Sequence, residues 1–178
     1  MPSDYHKVIF LDRDGVINKD IGYLHKVEDF KFEKEIFGVC RHFNTLGYKL
    51  IIITNQSGIG RKLYTHNDFI ILNTWMLDQF KRQGINILDV YYCPHNPYSN
   101  CSCRKPKPGL LLEAQKKYNI DMTLSWLIGD KETDIDSANA AKINNTILIN
   151  HNNKDDVLES NARFILKSLE ECFQIINK

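Results

Sequence analysis

The chain has 178 residues, 43% of them apolar and 25% charged, the size and composition of one soluble domain with a sizeable core. Its 23 basic and 22 acidic side chains leave a net charge of +1, which excludes the broad basic face of a general nucleic-acid binder. No apolar stretch is long enough to span a membrane, and Met-Pro-Ser-Asp-Tyr-His lacks the basic and apolar regions of a signal peptide, so the cytoplasm is the expected compartment.

The first predicted element is a strand over Lys7–Asp12, whose apolar run Val8 to Leu11 is that of a buried parallel strand. It stops at Asp12-Arg13-Asp14-Gly15. In an open α/β sheet the carboxyl end of a strand faces the ligand crevice. Two carboxylates there can divide the labour, one as nucleophile and metal ligand, the other as proton carrier. The loop Asn18 to His25 follows directly and can reach over such a site.

A helix is predicted over Phe37–Leu46, with Cys40 as a small core residue. A second strand, Tyr48–Thr54, again ends in polar residues, Thr54-Asn55-Gln56-Ser57-Gly58-Ile59-Gly60-Arg61. The Thr54 hydroxyl and the backbone amides of the following turn can hold phosphoryl oxygens, and Gly58 and Gly60 allow close backbone approach. Thr65 caps a helix over His66–Gln83, and a third strand covers Asp89–Cys93.

Five cysteines is an odd number, and three of them crowd between positions 93 and 103. Cys93-x-His95, a five-residue gap and Cys101-x-Cys103 supply three thiolates and an imidazole, a complete tetrahedral zinc set. With every ligand drawn from protein, the site is expected to be structural and to order the loop carrying Arg104 and Lys105. Pro106 and Pro108 are expected to hold that loop extended and to present both cations to an anion, while Lys107 reads as solvated.

A helix is predicted over Pro108–Tyr118, then a strand over Ser125–Asp130 that brings a third carboxylate, Asp130, to a strand end. Asp130 beside Asp12 makes an oxygen-rich seat suited to Mg²⁺. A helix follows over Thr133–Ala141, capped by Thr133 or Asp134; Asp134 either caps it or holds a metal-bound water. A strand at Thr146–Asn150, a short edge strand at Ala162–Leu166 and a helix at Ser168–Ile176, carrying Cys172 in the core, complete the pattern. His6, His42, His66 and His151 read as surface residues. The alternation predicts an α/β fold, a Rossmann-like parallel sheet with helices on both faces, and one domain over residues 1–178.

With these segments in hand, the sequence resembles the haloacid dehalogenase superfamily of aspartate-nucleophile phosphotransferases: Asp12/Asp14, Thr54, Lys105 and Asp130/Asp134 match its four motif regions in order. Over nearly the whole chain it is most similar to the D-glycero-D-manno-heptose 1,7-bisphosphate 7-phosphatases. The resemblance implies Asp12 as nucleophile, Asp14 as acid and base, and Thr54 and Lys105 as stabilisers of the phosphoryl group. It implies Mg²⁺ held by Asp12, Asp14 (through its carbonyl) and Asp130, and Zn²⁺ held by Cys93, His95, Cys101 and Cys103. Asp20, Gly22, Tyr23, Asn55, Gln56, Ser57, Arg104 and Lys131 match its substrate-contacting segments, with Arg104 the candidate for a distal phosphate.

The intervals from Asp14 to Thr54 and from Thr54 to Lys105 leave no room for a separate cap domain, so the fold is expected to be capless. The implied reaction frees heptose 1-phosphate for surface-glycan precursors such as lipopolysaccharide core. The implied protein is a cytoplasmic monomer acting on a small sugar phosphate, with neither nucleic acid nor membrane as partner. Thr133-Asp134 after Glu132 is shared with histidinol-phosphate phosphatases, which stand as the alternative. A nucleic-acid 3′-phosphatase fits poorly with balanced charge, and a non-catalytic zinc-stabilised module has no need of a second carboxylate.

Overall fold

The computed structural model describes residues 5–151 and 159–177. Residues 1–4, part of the stretch read for a signal peptide, lie outside them. Six strands form one parallel sheet in the order β3-β2-β1-β4-β5-β6: β1 Val8–Leu11, β2 Lys49–Asn55, β3 Ile87–Cys93, β4 Trp126–Gly129, β5 Asn145–Ile149 and β6 Phe164–Leu166. The helices are α1 Ile36–Thr45, α2 Ser57–Gly60, α3 His66–Arg82, α4 Gly109–Tyr118, α5 Glu132–Ala140 and α6 Cys172–Ile175.

Period-two alternation in the central strands makes two cores. Ile9 and Leu11 of β1, with Leu50 and Ile52 of β2, face α1 and α3 through Val39, Phe43, Leu72, Met76 and Phe80. Val8, Phe10, Ile51 and Ile53 face the other way, onto Leu110, Leu111 and Ala114 of α4 and Ile135 and Ala138 of α5. Both faces of β1 are fully buried, so its sequence is apolar without a break. Cys40 and Cys172 lie in the first core, as expected.

The strand order reverses at β1, whose neighbours are β2 and β4. Their carboxyl ends open the crevice where such sheets bind ligands. The Asp12 N–H donates to the Ile128 carbonyl at 3.0 Å, tying the residue just past β1 to β4. Between Asp14 and Thr54 the chain forms a 3-10 turn at Val27–Asp29, α1 and most of β2, with no inserted domain.

Three local expectations change. The predicted helix Ser168–Ile176 is a 3-10 turn, Leu169–Glu171, followed by the single turn of α6; Glu171 Oε1 takes the N–H groups of Lys167 and Ser168 and fixes the chain's entry. Residues Ser57–Gly60, read as loop, form the short α2. His42 is half-buried rather than a surface residue, and its Nε2 donates to the Ile176 carbonyl at 2.6 Å, joining α1 to the end of the described chain.

Candidate active site

Asp12 follows β1, Thr54 lies near the end of β2, and Asp130 follows β4, so three adjacent strands deliver their polar residues to one place. Asp12, Asp14, Thr54, Lys105 and Asp134 line a small recess. It adjoins a pocket of about 460 Å³ lined by Arg13, Asp14, Asp20, Gly22, Tyr23, Asn55, Gln56, Ser57, Tyr64, Arg104, Lys105 and Lys131. Every residue expected from the sequence to be catalytic or to contact substrate therefore borders one of these spaces; Asp130, expected as a metal ligand, lies beside Asp12 and Asp134.

Lys105 is 4% exposed. Its Nζ donates to Asp12 Oδ1 at 2.8 Å and to the Ile53 carbonyl at 3.0 Å, and lies 2.5 Å from Asp134 Oδ1. Burial pulls the ammonium down, but the facing carboxylates outweigh it and hold Lys105 above the ordinary lysine range. Burial and the Asp134 charge push the Asp12 carboxyl up, against the pull of Lys105. Asp134 thus has two tasks. It caps α5 by accepting the Lys131 N–H at 3.1 Å, which corrects the expected Thr133 or Asp134 N-cap to Lys131, and its other oxygen pairs with Lys105.

Asp14 is held by more donors than the sequence suggests. The Arg13 guanidinium forks onto both its oxygens, Asn18 Nδ2 donates to Oδ1 at 2.9 Å, and Gln56 Nε2 donates to Oδ2 at 3.1 Å. Arg13 itself is 1% exposed, donates to the Leu24 carbonyl and keeps Nη1 buried without a partner. Neither Arg13 nor Tyr64 was singled out; the signal for Arg13 was its place between the two carboxylates.

Oxygens of Asp12, Asp130 and Asp134 lie within 4.8 Å of one another. Burial, then the Asp12 charge, pushes Asp130 up to about 8, and its Oδ1 is buried with no partner. Crowded, dry, hard oxygen donors of this kind fit Mg²⁺.

The second donor set is Cys93, His95, Cys101 and Cys103, also within 4.8 Å of one another. Cys93 Sγ and Cys101 Sγ are 3.7 Å apart. Thiolates bound about 2.3 Å from a common tetrahedral centre lie about 3.8 Å apart, so the set fits zinc. The loop is tied to the pocket: Gln56 N–H donates to the Cys93 carbonyl at 2.8 Å, and a Cβ on Gly60 would sit 2.4 Å from Asn96 N. Lys107 is not simply solvated, since its Nζ donates to Asn100 Oδ1 and the Cys101 carbonyl, both at 2.8 Å, closing the loop on itself. Residues 104–107 form a turn closed by Lys107 N–H to the Arg104 carbonyl at 2.8 Å, with a cis Lys105–Pro106 peptide, instead of the expected extended segment.

The residues expected to contact substrate differ in how their side chains are engaged. Asn55 and Asp20 have their side chains engaged: Asn55 exchanges two hydrogen bonds with the Lys105 backbone, and Asp20 accepts from Gly22 N–H and from Lys131 Nζ at 2.8 Å. Arg104 is free toward the pocket, with Nη1 buried and unpartnered. His25 stacks at 5.1 Å on Tyr64, which lines the pocket. A groove of about 620 Å³ at the amino end of the sheet, lined by Tyr5, Leu112, Ile120, Met122 and Lys142 among others, brings no cluster of chemically active groups together.

A family model described as HAD-hydrolase-like matches residues 102–172. A D-glycero-beta-D-manno-heptose-1,7-bisphosphate 7-phosphatase of Helicobacter pylori (strain J99) is 48% identical over 148 residues, 83% of this chain and 85% of the relative. The alpha-anomer enzyme of Photorhabdus laumondii is 44% identical over 150 residues, covering 80% and 82%. Among solved structures, the D,D-heptose 1,7-bisphosphate phosphatase of B. bronchiseptica, complexed with magnesium and phosphate, superposes with a TM-score of 0.82 at 25% identity, covering 96% of this chain and 97% of that one.

Proposed function

The chain belongs to the D-glycero-manno-heptose-1,7-bisphosphate 7-phosphatase family of HAD-like hydrolases, and from that premise we propose that it removes the C7 phosphate of a heptose 1,7-bisphosphate through an aspartyl-phosphate on Asp12. The observation that carries the reading is the buried placement of Asp12 beside Lys105, with Asp14 and Thr54 lining the same recess.

Asp12 Oδ attacks phosphorus as the bond to the C7 oxygen breaks, and Asp14 gives that oxygen its proton. Asp14 then takes a proton from water, whose oxygen attacks the aspartyl-phosphate and releases inorganic phosphate and free Asp12. Lys105 and the Thr54 hydroxyl bind the transferring oxygens, where fixed charge and positioning supply most of the acceleration. Asp12, the Asp14 carbonyl and Asp130 would hold Mg²⁺, which offsets the repulsion between carboxylate and phosphate.

Cys93, His95, Cys101 and Cys103 would hold Zn²⁺ and keep Arg104 and Lys105 in place. Arg104 clamps the C1 phosphate at the far end of the pocket, and Lys131 and Asp20 close its rim. Residues 1–178 act as one phosphatase domain, a cytoplasmic monomer on a small sugar phosphate, with no nucleic acid or membrane involved. Among the described residues, no helix is long and apolar enough to cross a membrane.

Phosphate release from both heptose bisphosphate anomers, fructose bisphosphate and histidinol phosphate tests the proposal. The heptose substrates are expected to give the highest kcat/KM. A preference for histidinol phosphate would move the assignment to the alternative.

A further inference from the structure

We propose that Tyr64 is a positioning residue of this site, its hydroxyl locking the Gln56 carboxamide so that hydrogen bonds are aimed at both Thr54 and Asp14. The inference rests on the phosphatase reading above for what Thr54 and Asp14 do. Tyr64 stands between α2 and α3, 6% exposed, and its hydroxyl donates to Gln56 Oε1 at 2.6 Å. Burial pushes the phenol up to about 12, so it remains a donor at neutral pH.

The rest is forced by the chemistry of an amide. With Oε1 turned to Tyr64, Gln56 Nε2 faces the site and donates to Thr54 Oγ1 at 2.8 Å and to Asp14 Oδ2 at 3.1 Å. Asp14 Oδ2 is an acceptor in this arrangement, and the flipped amide would set Gln56 Oε1 against it. Gln56 is 2% exposed, and bulk water is not at hand to take over either end.

Thr54 feels the consequence. A hydroxyl has one proton, and Thr54 Oγ1 already accepts from Gln56. Its own proton is left for an acceptor in the recess shared with Asp12 and Lys105, where a transferring phosphoryl oxygen would lie. Tyr64 thereby sets the direction of a hydrogen bond two residues removed from it.

Two contacts hold the phenol in this position. A Cβ on Gly58 would come within 2.0 Å of Tyr64 Cε1, so the ring packs directly on the backbone of α2. The His25 ring stacks on it at 5.1 Å and 9°, with Nδ1 donating to the Tyr23 carbonyl. The ring thus touches both the turn after β2 and the loop after β1.

The test is a double-mutant cycle on phosphate release with Tyr64→Phe, Gln56→Ala and the double variant. Tyr64→Phe keeps the ring and its packing; kcat is expected to fall about tenfold with KM within about twofold, the signature of an interaction that matters in the transition state. In the Gln56→Ala background the same change is expected to cost less than about twofold, because its only lever is gone. Gln56→Glu keeps an acceptor for Tyr64 but loses the donor, and is expected to lose kcat as Gln56→Ala does. Multiplicative losses in the double variant, unchanged kcat in Tyr64→Phe or Gln56→Glu, or a loss confined to KM would overturn the proposal. The Gln56 side-chain amide ¹⁵N resonances, expected to shift in Tyr64→Phe, are read without substrate. A wild type that releases no phosphate sinks the phosphatase reading, and an unmoved Gln56 resonance sinks the Tyr64 contact separately.

Discussion

The Lys105 ammonium lies 2.8 Å from Asp12 Oδ1, both side chains almost wholly out of water, at 3% and 8% exposure. Asp134, 1% exposed, completes a triad of two anions around one cation. Removing one partner from a buried pair leaves an uncompensated charge. Lys105→Met is therefore expected to lower the stability of metal-free protein by about 3–5 kcal/mol, the range for a broken buried pair. A bound divalent cation faces the same carboxylates, so millimolar Mg²⁺ is expected to restore part of that loss. Urea unfolding with and without Mg²⁺ measures both quantities. A loss under about 1 kcal/mol would mean that water enters and solvates the stranded carboxylates.

Asp12→Asn preserves the shape of the side chain and removes the charge that attacks phosphorus. Turnover is expected to fall by several orders of magnitude, on the scale of losing a nucleophile that acts as part of a unit. Stability is not expected to fall with it, because burial and Asp134 already oppose the Asp12 charge. Single-turnover assays with trapping of acid-labile phosphoenzyme decide the point. Retained turnover in the variant would exclude an aspartyl-phosphate on Asp12.

Asp12 was legible in the sequence because a buried parallel strand is apolar on both faces, so a carboxylate directly after it announces a strand end in the crevice. Asp12 and Asp130 satisfy that rule, Thr54 marks the polar end of its strand, and the six strands followed from the alternation of elements, whereas their order, reversing at β1, came only with the folded sheet. What hid from sequence reading were partnerships between distant side chains. Asp134 looked like a cap or a water ligand because its local neighbours explain a cap; only the folded sheet brings Lys105 to its other oxygen. Tyr64 sits one residue before the Thr65 cap, where an aromatic needs no special explanation, and its role depends on Gln56 across a turn. The final helix was overread because apolar spacing at Leu169, Cys172 and Ile176 suits one turn as well as three.

The zinc loop and the core cysteines are expected to separate cleanly in thiol labelling. Cys40 and Cys172 are fully buried, and burial pushes both thiols up, Cys172 to about 12, so neither is expected to react in the folded state. Cys93, Cys101 and Cys103 are expected to be protected by about one zinc per chain and to label after chelation. Elemental analysis of protein purified without chelator, followed by mass spectrometry of the alkylated chain, measures both. Chelation is also expected to lower Tm and kcat together, because Gln56 and Gly60 link the loop to the pocket. Metal-free protein with three thiols labelled at once, full stability and full activity would refute a structural zinc.

Arg104 lines the pocket with Nη1 buried and unpartnered, an arrangement that costs stability unless an anion arrives to take the donor. A guanidinium fork holds a phosphate by two parallel hydrogen bonds, a geometry that the point charge of a lysine does not reproduce. If the anion is the distal C1 phosphate, Arg104→Ala removes a contact that only a bisphosphate makes. The loss in kcat/KM on heptose bisphosphate is then expected to exceed that on histidinol phosphate by about 1.5–3 kcal/mol, the range for a hydrogen bond to a charged group. Arg104→Lys is expected to recover only a minor part of it. Equal losses on both substrates would reassign Arg104 to the transferring phosphate, beside Lys105 and Thr54, and would leave the distal end of the pocket to Lys131 and the loop after β1.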